Sequence, residues 1–334
     1  MAISHNTHSP KEFQFLIGGQ AAWNTQLLDA LHALDVDSVG FPSFGTNQVL
    51  DVRSGSRVLQ ASDFFQTQAQ QITEISVSGT AKSDTMSLLL SNITGDVSGT
   101  YAVASNYSPT DYGTATTGLT VGDFKLMTIV YTSPETDSDL VFEDCVCTSL
   151  ALTGEMGTEA GRVKFSATFK TGTKPHSLSL SSESVDTAIS TNDITMSSWG
   201  TSAYRKICGV DDLIVNSFAL NLENDAVFTG CDTNGNFETV SRAAEFICTA
   251  DFSVKYDTTS EPMVNSFQTQ TGDSGATLMN NDASITDGSF GFEINKAAYT
   301  NVAWSEGDSM NIDISIKALG TGVGSSTALV EIGL

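Results

Sequence analysis

The sequence predicts an all-β protein with two related antiparallel β-sandwich or barrel domains, an N-terminal arm and one short helix. Three observations support this expectation. Apolar and polar residues alternate along much of the chain after residue 73, as in half-buried strands. Segments rich in Ser, Asn, Asp and Gly separate these runs, and only 6 of the 334 residues are proline. One strand motif occurs twice, which indicates an internal duplication.

The first 62 residues are predicted to form the N-terminal arm. Residues 1–10 are polar, and residues 13–17 are expected to form a short strand. The single helix is expected at about residues 23–34. Four leucines share one face of that helix at a spacing of three or four residues, namely Leu27, Leu28, Leu31 and Leu34.

Residues 63–180 are predicted to form the first β domain. Ile75 and Val77 alternate with serines, and residues 86–90 form another apolar run that we interpret as a strand. Residues 162–170 give the clearest strand, because large apolar side chains there alternate with Lys, Ser and Thr. The Ser-rich segment 174–192 then suits a joint between domains.

Residues 181–334 are predicted to form the second β domain. Its later strands are expected around Phe292, Ile314 and Ile332, where Phe, Ile and Val alternate with other residues. Two acidic, turn-rich parts of the chain remain as connections. Each follows one copy of the repeated motif, and the second, at residues 223–244, is the longer loop.

The repeated motif reads CVCTSLALT from Cys145 and LIVNSFALN from Leu213. Each copy precedes a loop and a second alternating strand, which together resemble a strand–loop–strand unit. Alternation within these strands gives the expected core, namely Val146, Leu150, Leu152, Val163, Phe165, Phe169, Ile214, Phe218, Leu220, Phe246 and Phe252.

The charge balance is strongly acidic. The chain has 39 acidic and 15 basic residues, a net charge of −24 and a pI near 4.2. A surface of this kind repels the phosphates of nucleic acid, so specific DNA or RNA binding is not expected. The charge fits two roles that composition does not separate, solubility and a channel wall to which DNA does not stick.

Residue types that carry chemistry are sparse and scattered. The four histidines do not accompany a nucleophile, and no phosphate-binding glycine loop or zinc motif occurs. We therefore expect no enzyme activity, no cofactor and no metal site. The nearest metal candidates are a segment at 232–238 and one acidic loop made of Glu135, Asp137, Asp139, Glu143 and Asp144. We interpret both as solvated, turn-rich loops, and we expect single Asp-to-Asn changes in residues 135–144 to alter stability little.

The five cysteines form neither a disulfide framework nor a CxxC pair, so we expect reduced thiols and folding in a cytosol. No basic segment followed by an apolar run occurs near residue 1, and no run of about 18 apolar residues occurs elsewhere. We therefore expect neither a signal peptide nor a membrane span.

Three segments together resemble the core of tail tube proteins, the major tail proteins of long-tailed bacteriophages. They are DCVCTSLALTGE from Asp144, RVKFSATFKTG from Arg162 after Gly161, and LIVNSFALNLEN from Leu213. The last looks like the second copy found in two-domain members of that family. The resemblance spans residues 121–255 by motif and the rest by architecture.

This resemblance implies a structural subunit of a siphovirus tail tube that polymerises into stacked rings around an acidic channel for DNA passage. Rings of a two-domain subunit would be trimers with pseudo-sixfold symmetry. Partners would be further copies of the chain and the tip, tape measure and terminator proteins, while DNA passes without specific binding. The location would be the virion tail, and the host cytoplasm during assembly. Residues 1–10 and the loop 223–244 are the candidates for contacts between rings.

Two other classes of protein fit part of the sequence. A capsid decoration, baseplate or fibre component would share the composition, and the shape of the assembled particle separates it from a tube. A carbohydrate-binding, adhesin-like sandwich would carry a signal peptide and aromatic platforms, and the sequence shows neither.

Overall fold

The structure is a computed structural model, and it describes residues 12–20, 23–25, 28, 31–42, 48–50, 64–66, 71–95, 125–132, 139–180, 183, 185–196, 205–269, 275–279, 290–307, 309–320 and 329–334. The strands are β1 Phe15–Gln20, β2 Leu31–Ala33, β3 Val36–Val39, β4 Gln48–Leu50, β5 Phe64–Gln66, β6 Thr73–Thr80, β7 Leu126–Tyr131, β8 Asp139–Glu155, β9 Lys164–Thr171, β10 His176–Leu178, β11 Val185–Asp186, β12 Arg205–Ile207, β13 Val215–Glu223, β14 Ala226–Thr229, β15 Thr239–Arg242, β16 Ile247–Lys255, β17 Ala276–Met279, β18 Gly291–Ile294, β19 Ala297–Glu306, β20 Met310–Ala318 and β21 Val330–Gly333. The helices are α1 Ser83–Thr94 and α2 Glu261–Thr269.

The predicted all-β class is confirmed, since strands dominate and nearly all of them pair antiparallel. One continuous sheet contains eight strands in the order β3-β6-β9-β8-β13-β16-β20-β19. All seven of its pairings are antiparallel. One face of this sheet carries alternating apolar side chains that are buried, and the other face is polar. We call these the core face and the polar face.

Strand β8 is 17 residues long, and each neighbouring strand pairs with only part of it. It therefore takes part in two sheets. Its first half pairs with β7 and β10, and its second half pairs with β9 and β13. The register of the β7–β8 pair shifts near Asp144, which has a φ of 53°. This bulge marks the point where the strand leaves one sheet for the other.

A second layer covers the core face. Over the first half lie β1, β2 and β7 together with α1, and Phe15 and Phe142 both pack against Tyr131 there. Over the second half lies a four-stranded sheet, β12-β17-β18-β21, whose Phe292 packs against Phe218 and Phe252. The molecule therefore contains two β-sandwiches that share one eight-stranded sheet.

The helix predicted at about residues 23–34 is wrong wherever the structure describes this segment, because residues 23–25 and 28 are not helical and residues 31–33 form strand β2. Leu31 and Ala33 are buried while His32 is half-buried, so the same residues that fit helical spacing also fit strand alternation. Pairing with β1 on one side and β11 on the other settles the choice in favour of a strand. Tertiary hydrogen bonds here override the local helical pattern.

Helix α1 replaces the strand predicted at residues 86–90. Every residue from Thr85 to Thr94 is buried. The apolar residues of this segment fit strand alternation over residues 86–90 and also fit helical spacing, and they are Met86, Leu88, Leu89, Leu90 and Ile93. Its serines and threonines satisfy their hydroxyls internally, as when Thr94 donates to the carbonyl oxygen of Leu90 at 2.6 Å. Gly95 ends the helix in the left-handed conformation, with a φ of 74°.

Strand pairing crosses the domain boundaries expected from the sequence. Strand β3 lies within the expected arm but pairs with β6 of the first β domain. Strand β11 lies beyond residue 180 but pairs in parallel with β2. The segment 174–192 therefore packs against the first sandwich, through β10 and β11, in place of a free joint.

Candidate assembly interface

The eight-stranded sheet consists of two equivalent halves placed side by side. Strands β3, β6, β9 and β8 form one half, and β13, β16, β20 and β19 form the other in the same spatial order. Chain order and strand direction agree as well, and a helix follows the second strand of each half. The second half thus repeats the first by a displacement along the sheet.

Interruptions in the hydrogen-bond ladders fix this equivalence residue by residue. The β3–β6 pair has a register shift between Val36 and Ser38, and the β13–β16 pair has one between Val215 and Ser217. The β8–β9 and β19–β20 pairs likewise shift at the matching places, between Cys147 and Ser149 and between Tyr299 and Asn301. When the two halves are aligned at these bulges, the last residue of α1 also falls on the last residue of α2.

The two strands that share the repeated sequence motif, β8 and β13, are neighbours at the junction between the halves. Leu152 lies directly opposite Leu220 in that junction. By chain order and helix position, β13 is the equivalent of β3, and β8 is the equivalent of β19. The motif is similar in the two strands because each carries a bulge at the same point, followed by buried residues at alternate positions.

Most of the residues predicted for the core are buried, but two depart from the expectation. Ile214 is 43% exposed, because Leu213 and Val215 take the inward positions and the bulge after Val215 then resets the alternation for Phe218. Val146 is buried on the opposite side of β8 from the main core, against Ala226 and Phe228 of the hairpin β14–β15. The other nine, buried in the main core, are Leu150, Leu152, Val163, Phe165, Phe169, Phe218, Leu220, Phe246 and Phe252.

The two ends of the eight-stranded sheet are open edges among the described residues. Strand β3 pairs only with β6, and strand β19 pairs only with β20. Each edge carries a large exposed aromatic side chain, since Phe41 is 47% and Trp304 is 63% exposed. An unpaired edge with apolar side chains favours pairing with another chain. No sequence signal distinguishes these two residues.

The polar face is dominated by Ser, Thr, Asn and Ala. Its described strands carry six carboxylates and four lysines, so only a small part of the chain's net charge of −24 lies on this face. Lys164 pairs with Asp37 at 3.0 Å and with Glu159 at 3.2 Å, and Lys170 pairs with Asp225 at 3.4 Å. The charged residues of the sheet on this face are Asp37, Glu74, Glu155, Lys164, Lys170, Glu223, Asp251, Lys255, Asp313 and Lys317.

The acidic loop predicted from the sequence is in part a strand. Asp139, Glu143 and Asp144 lie on β8, whereas Glu135 and Asp137 lie outside the described residues. Burial raises the pKa of Glu143, whose Oε1 lies 3.8 Å from Nε2 of His176. Within the described parts of the chain, no three His, Cys, Asp or Glu side chains are grouped to hold a metal ion.

Asp144 is fully buried and serves as a structural acceptor. Its Oδ1 accepts hydrogen bonds from the side chain of Gln20 and, at 2.9 Å, from the backbone of Asn24. Its Oδ2 accepts from the hydroxyl of Thr173 at 2.7 Å. These bonds hold the N-terminal segment and the end of β9 against the bulge in β8.

The loop at 232–238 has the hydrogen bonds of a turn. Oδ1 of Asp232 accepts from the backbone of Asn234 at 2.8 Å and of Asn236 at 2.7 Å. The pKa of Asp232 is lowered, mainly by the hydrogen bond from the backbone of Asn236. The carboxylate is therefore engaged within its own loop. The flanking strands β14 and β15 form a hairpin that packs on β8, so the loop 223–244 is partly docked.

The remaining reactive groups are separate from one another. The cysteines are all free thiols, and burial raises the pKa of Cys147 and Cys248 to about 12 and that of Cys208 to about 11. His32 and His176 lie on β2 and β10, and each faces a carboxylate. A depression of about 300 Å³ lies at the β8–β13 junction and is open to solvent. Arg162, which lines it, pairs with Asp193 at 3.0 Å.

Neither helix in the described part of the chain is long and apolar enough to cross a membrane. No protein-family model matches the chain, and no curated protein matches it either.

Proposed function

We propose that this protein is the structural subunit of a phage tail tube, which polymerises into stacked rings around a channel for DNA. The observation that carries the proposal is the eight-stranded sheet, in which two equivalent halves already join edge to edge. The chain thus contains one copy of the contact that a ring would repeat. Both outer edges of the sheet remain open for the same contact with other copies.

The equivalence of the halves predicts the kind of interface. Because the second half is displaced along the sheet relative to the first, the open β3 edge is equivalent to the β13 edge of the internal junction. The open β19 edge is likewise equivalent to the β8 edge. Different surfaces therefore meet, which makes the contact heterologous, and such contacts either close into rings or propagate as filaments. Edge pairing also removes an exposed edge that would otherwise aggregate.

The polar face suits the wall of a channel through which DNA moves. Small hydroxyl and amide side chains predominate, and the lysines at 164 and 170 already pair with carboxylates. Paired lysines release few counterions from DNA and so add little affinity. The net charge of −24 further opposes binding over longer distances. DNA would therefore pass along this face without being held.

The proposal includes the assembly context. Three copies would form each ring with pseudo-sixfold symmetry, and stacked rings would form the tail of the virion after assembly in the host cytoplasm. Tip, tape measure and terminator proteins would contact the ends and the bore of the tube. Residues 1–10 lie outside the described residues, and the hairpin β14–β15 of the loop 223–244 packs on the first sandwich.

Negative-stain electron microscopy with sedimentation of the same purified protein tests the proposal. The expected result is hollow tubes or stacked rings of uniform bore, whose subunit count gives the ring symmetry. Compact trimers or solid fibres at every protein concentration would contradict it, and they would point to a decoration, baseplate or fibre component.

A further inference from the structure

We propose that neighbouring copies of the chain join in the register of the internal β8–β13 junction, which sets Phe41 of one copy directly opposite Trp304 of the next. This inference rests on the proposed function for its context, because it specifies how the edges of a ring meet. The partner is a second copy of this chain. The contact pairs the free β3 edge with the free β19 edge.

The internal junction supplies the register. There, Leu152 of β8 lies opposite Leu220 of β13, and both leucines are fully buried. Superposing the bulges makes Phe41 the equivalent of Leu220 and Trp304 the equivalent of Leu152. Repeating the junction between copies therefore brings these two aromatic side chains together.

Side-chain exposure supports this register independently. Phe41 and Trp304 are the two aromatic members of the large hydrophobic side chains that are strongly exposed among the described residues. One lies on each open edge, at the positions that buried leucines occupy inside the molecule. Phe41 also contacts Tyr131, and Trp304 contacts Tyr256, with ring centroids 5.4 Å and 6.2 Å apart. Both therefore extend a core that the partner would close.

The backbone of the β3 edge presents its hydrogen-bonding groups outward at the required residues. The N–H of Gly40 points inward, donating to the carbonyl oxygen of Ser76 at 2.8 Å. Because strand residues alternate, Val39 and Phe41 face outward and Pro42 faces inward. The proline therefore removes no donor from the free edge, although prolines elsewhere often block such edges.

The internal ladder has the same alternation. The N–H of Asn224 donates to Thr148 at 2.9 Å, and the N–H of Met156 donates to Asn216 at 2.9 Å. Leu220 is then a hydrogen-bonded position, whereas Asn221 and its partner Ala151 form a non-hydrogen-bonded pair. The corresponding pair between copies is Pro42 with Ala303, on the polar face.

Disulfide trapping tests the register, since non-hydrogen-bonded antiparallel pairs bring Cα atoms to about 4.5 Å, within the range for a disulfide. We would combine Pro42→Cys with Ala303→Cys in a full-length Cys231→Ser background. The matched control combines Pro42→Cys with Ser305→Cys, two residues out of register on the same face. Oxidation should give a ladder of cross-linked multimers for the first pair, reversed by reductant, and at least tenfold less for the control.

The outcomes separate failure of the proposed register from failure of the proposed function. Rings or tubes that cross-link only in the control pair, equally in both pairs or in neither would overturn the register but leave the proposed function standing. Cross-linking of the expected pair without rings or tubes would support the junction and contradict the function.

A second pair of variants covers the case in which the cysteines prevent assembly. Phe41→Glu with Trp304→Glu should stop assembly, because it places like charges opposite each other. Phe41→Lys with Trp304→Glu should restore it, because it places opposite charges there. Equal behaviour of these two double variants would overturn the proposal.

Discussion

Asp144 shows how much a single buried carboxylate does in this fold. It lies at the bulge where β8 changes sheets, has a φ of 53°, and accepts hydrogen bonds from Gln20, Asn24 and Thr173. Asp144 follows several other acidic residues in the sequence, so the sequence alone suggested that it is one of several solvated carboxylates in a loop. The structure shows instead that its side chain is fully buried.

Asp144→Asn should lower the free energy of unfolding by about 1–3 kcal/mol, because one acceptor oxygen becomes a donor that faces other donors. The interpretation of residues 135–144 as a solvated loop implied little effect, and the structure corrects this for Asp144. Urea denaturation is the measurement. Asp251→Asn on the polar face is the control, with an expected change under about 0.5 kcal/mol. Equal shifts for both variants would contradict the assigned role.

The inward-facing phenylalanines of the sheet give a second test at this scale. Phe169 and Phe252 are 0% and 3% exposed. Phe169→Asp or Phe252→Asp should yield insoluble protein, since each leaves an unpaired charge in the core at a cost of several kcal/mol. Ser166→Asp, on the polar side of the strand that carries Phe169, should remain soluble. Soluble, folded core variants in a fractionation assay would show that the assigned faces are wrong.

Strands β18 and β21 place two glutamates side by side, with Glu293 directly opposite Glu331. Burial raises the pKa of Glu293, and the charge of Glu331 raises it further. A carboxyl whose pKa is raised in the folded state opposes folding while it is charged. As the pH falls through this raised pKa, Glu293 becomes protonated in the folded state and its opposition to folding is relieved. Its contribution to the free energy of unfolding should therefore become less unfavourable.

Glu293→Gln should raise the free energy of unfolding by up to about 1 kcal/mol at pH 7, because it removes a like-charge cross-strand pair. The gain should shrink as the pH falls and vanish below about pH 4, where glutamates are protonated in both states. Thermal unfolding at several pH values measures it, with Glu74→Gln on the polar face as control. A gain that persists at low pH would point to packing as the cause.

At the element scale, strands with one wet face were predictable and buried elements were not. β9 shows its alternation in the sequence because Lys, Ser and Thr face away from the core. Helix α1 has Met86, Leu89, Leu90 and Ile93 at helical spacing, but the alternation over residues 86–90 fits a strand equally well, so the local pattern left two interpretations open. Strand β2 has only three residues, so its strand alternation was a weaker signal in the sequence than the helical spacing of the leucines. Pairing with β1 decides its conformation.

At the scale of the whole molecule, the duplication was predictable but its alignment was not. Sequence similarity linked β8 with β13, whereas chain order, helices and bulges link β3 with β13 and β8 with β19. The bulge positions match between the halves although most residue types differ there. The candidate interface had no signal at all, since Phe41 and Trp304 acquire meaning only from the two open edges.

The direction of assembly is the central claim, and one-edge variants test it most directly. Phe41→Glu blocks only the β3 edge, and Trp304→Glu blocks only the β19 edge. Each variant alone should sediment as a monomer, with circular dichroism confirming an unchanged fold. An equal mixture retains one usable edge of each kind, so it should form one-to-one dimers and nothing larger.

Sedimentation velocity of the two variants, separately and mixed, is therefore the decisive measurement. Dimers that appear only in the mixture are the expected result, because a β19 edge then meets a β3 edge once and stops. Self-association of either variant alone, or a mixture that stays monomeric while the unmodified chain assembles, would contradict head-to-tail joining of the two halves.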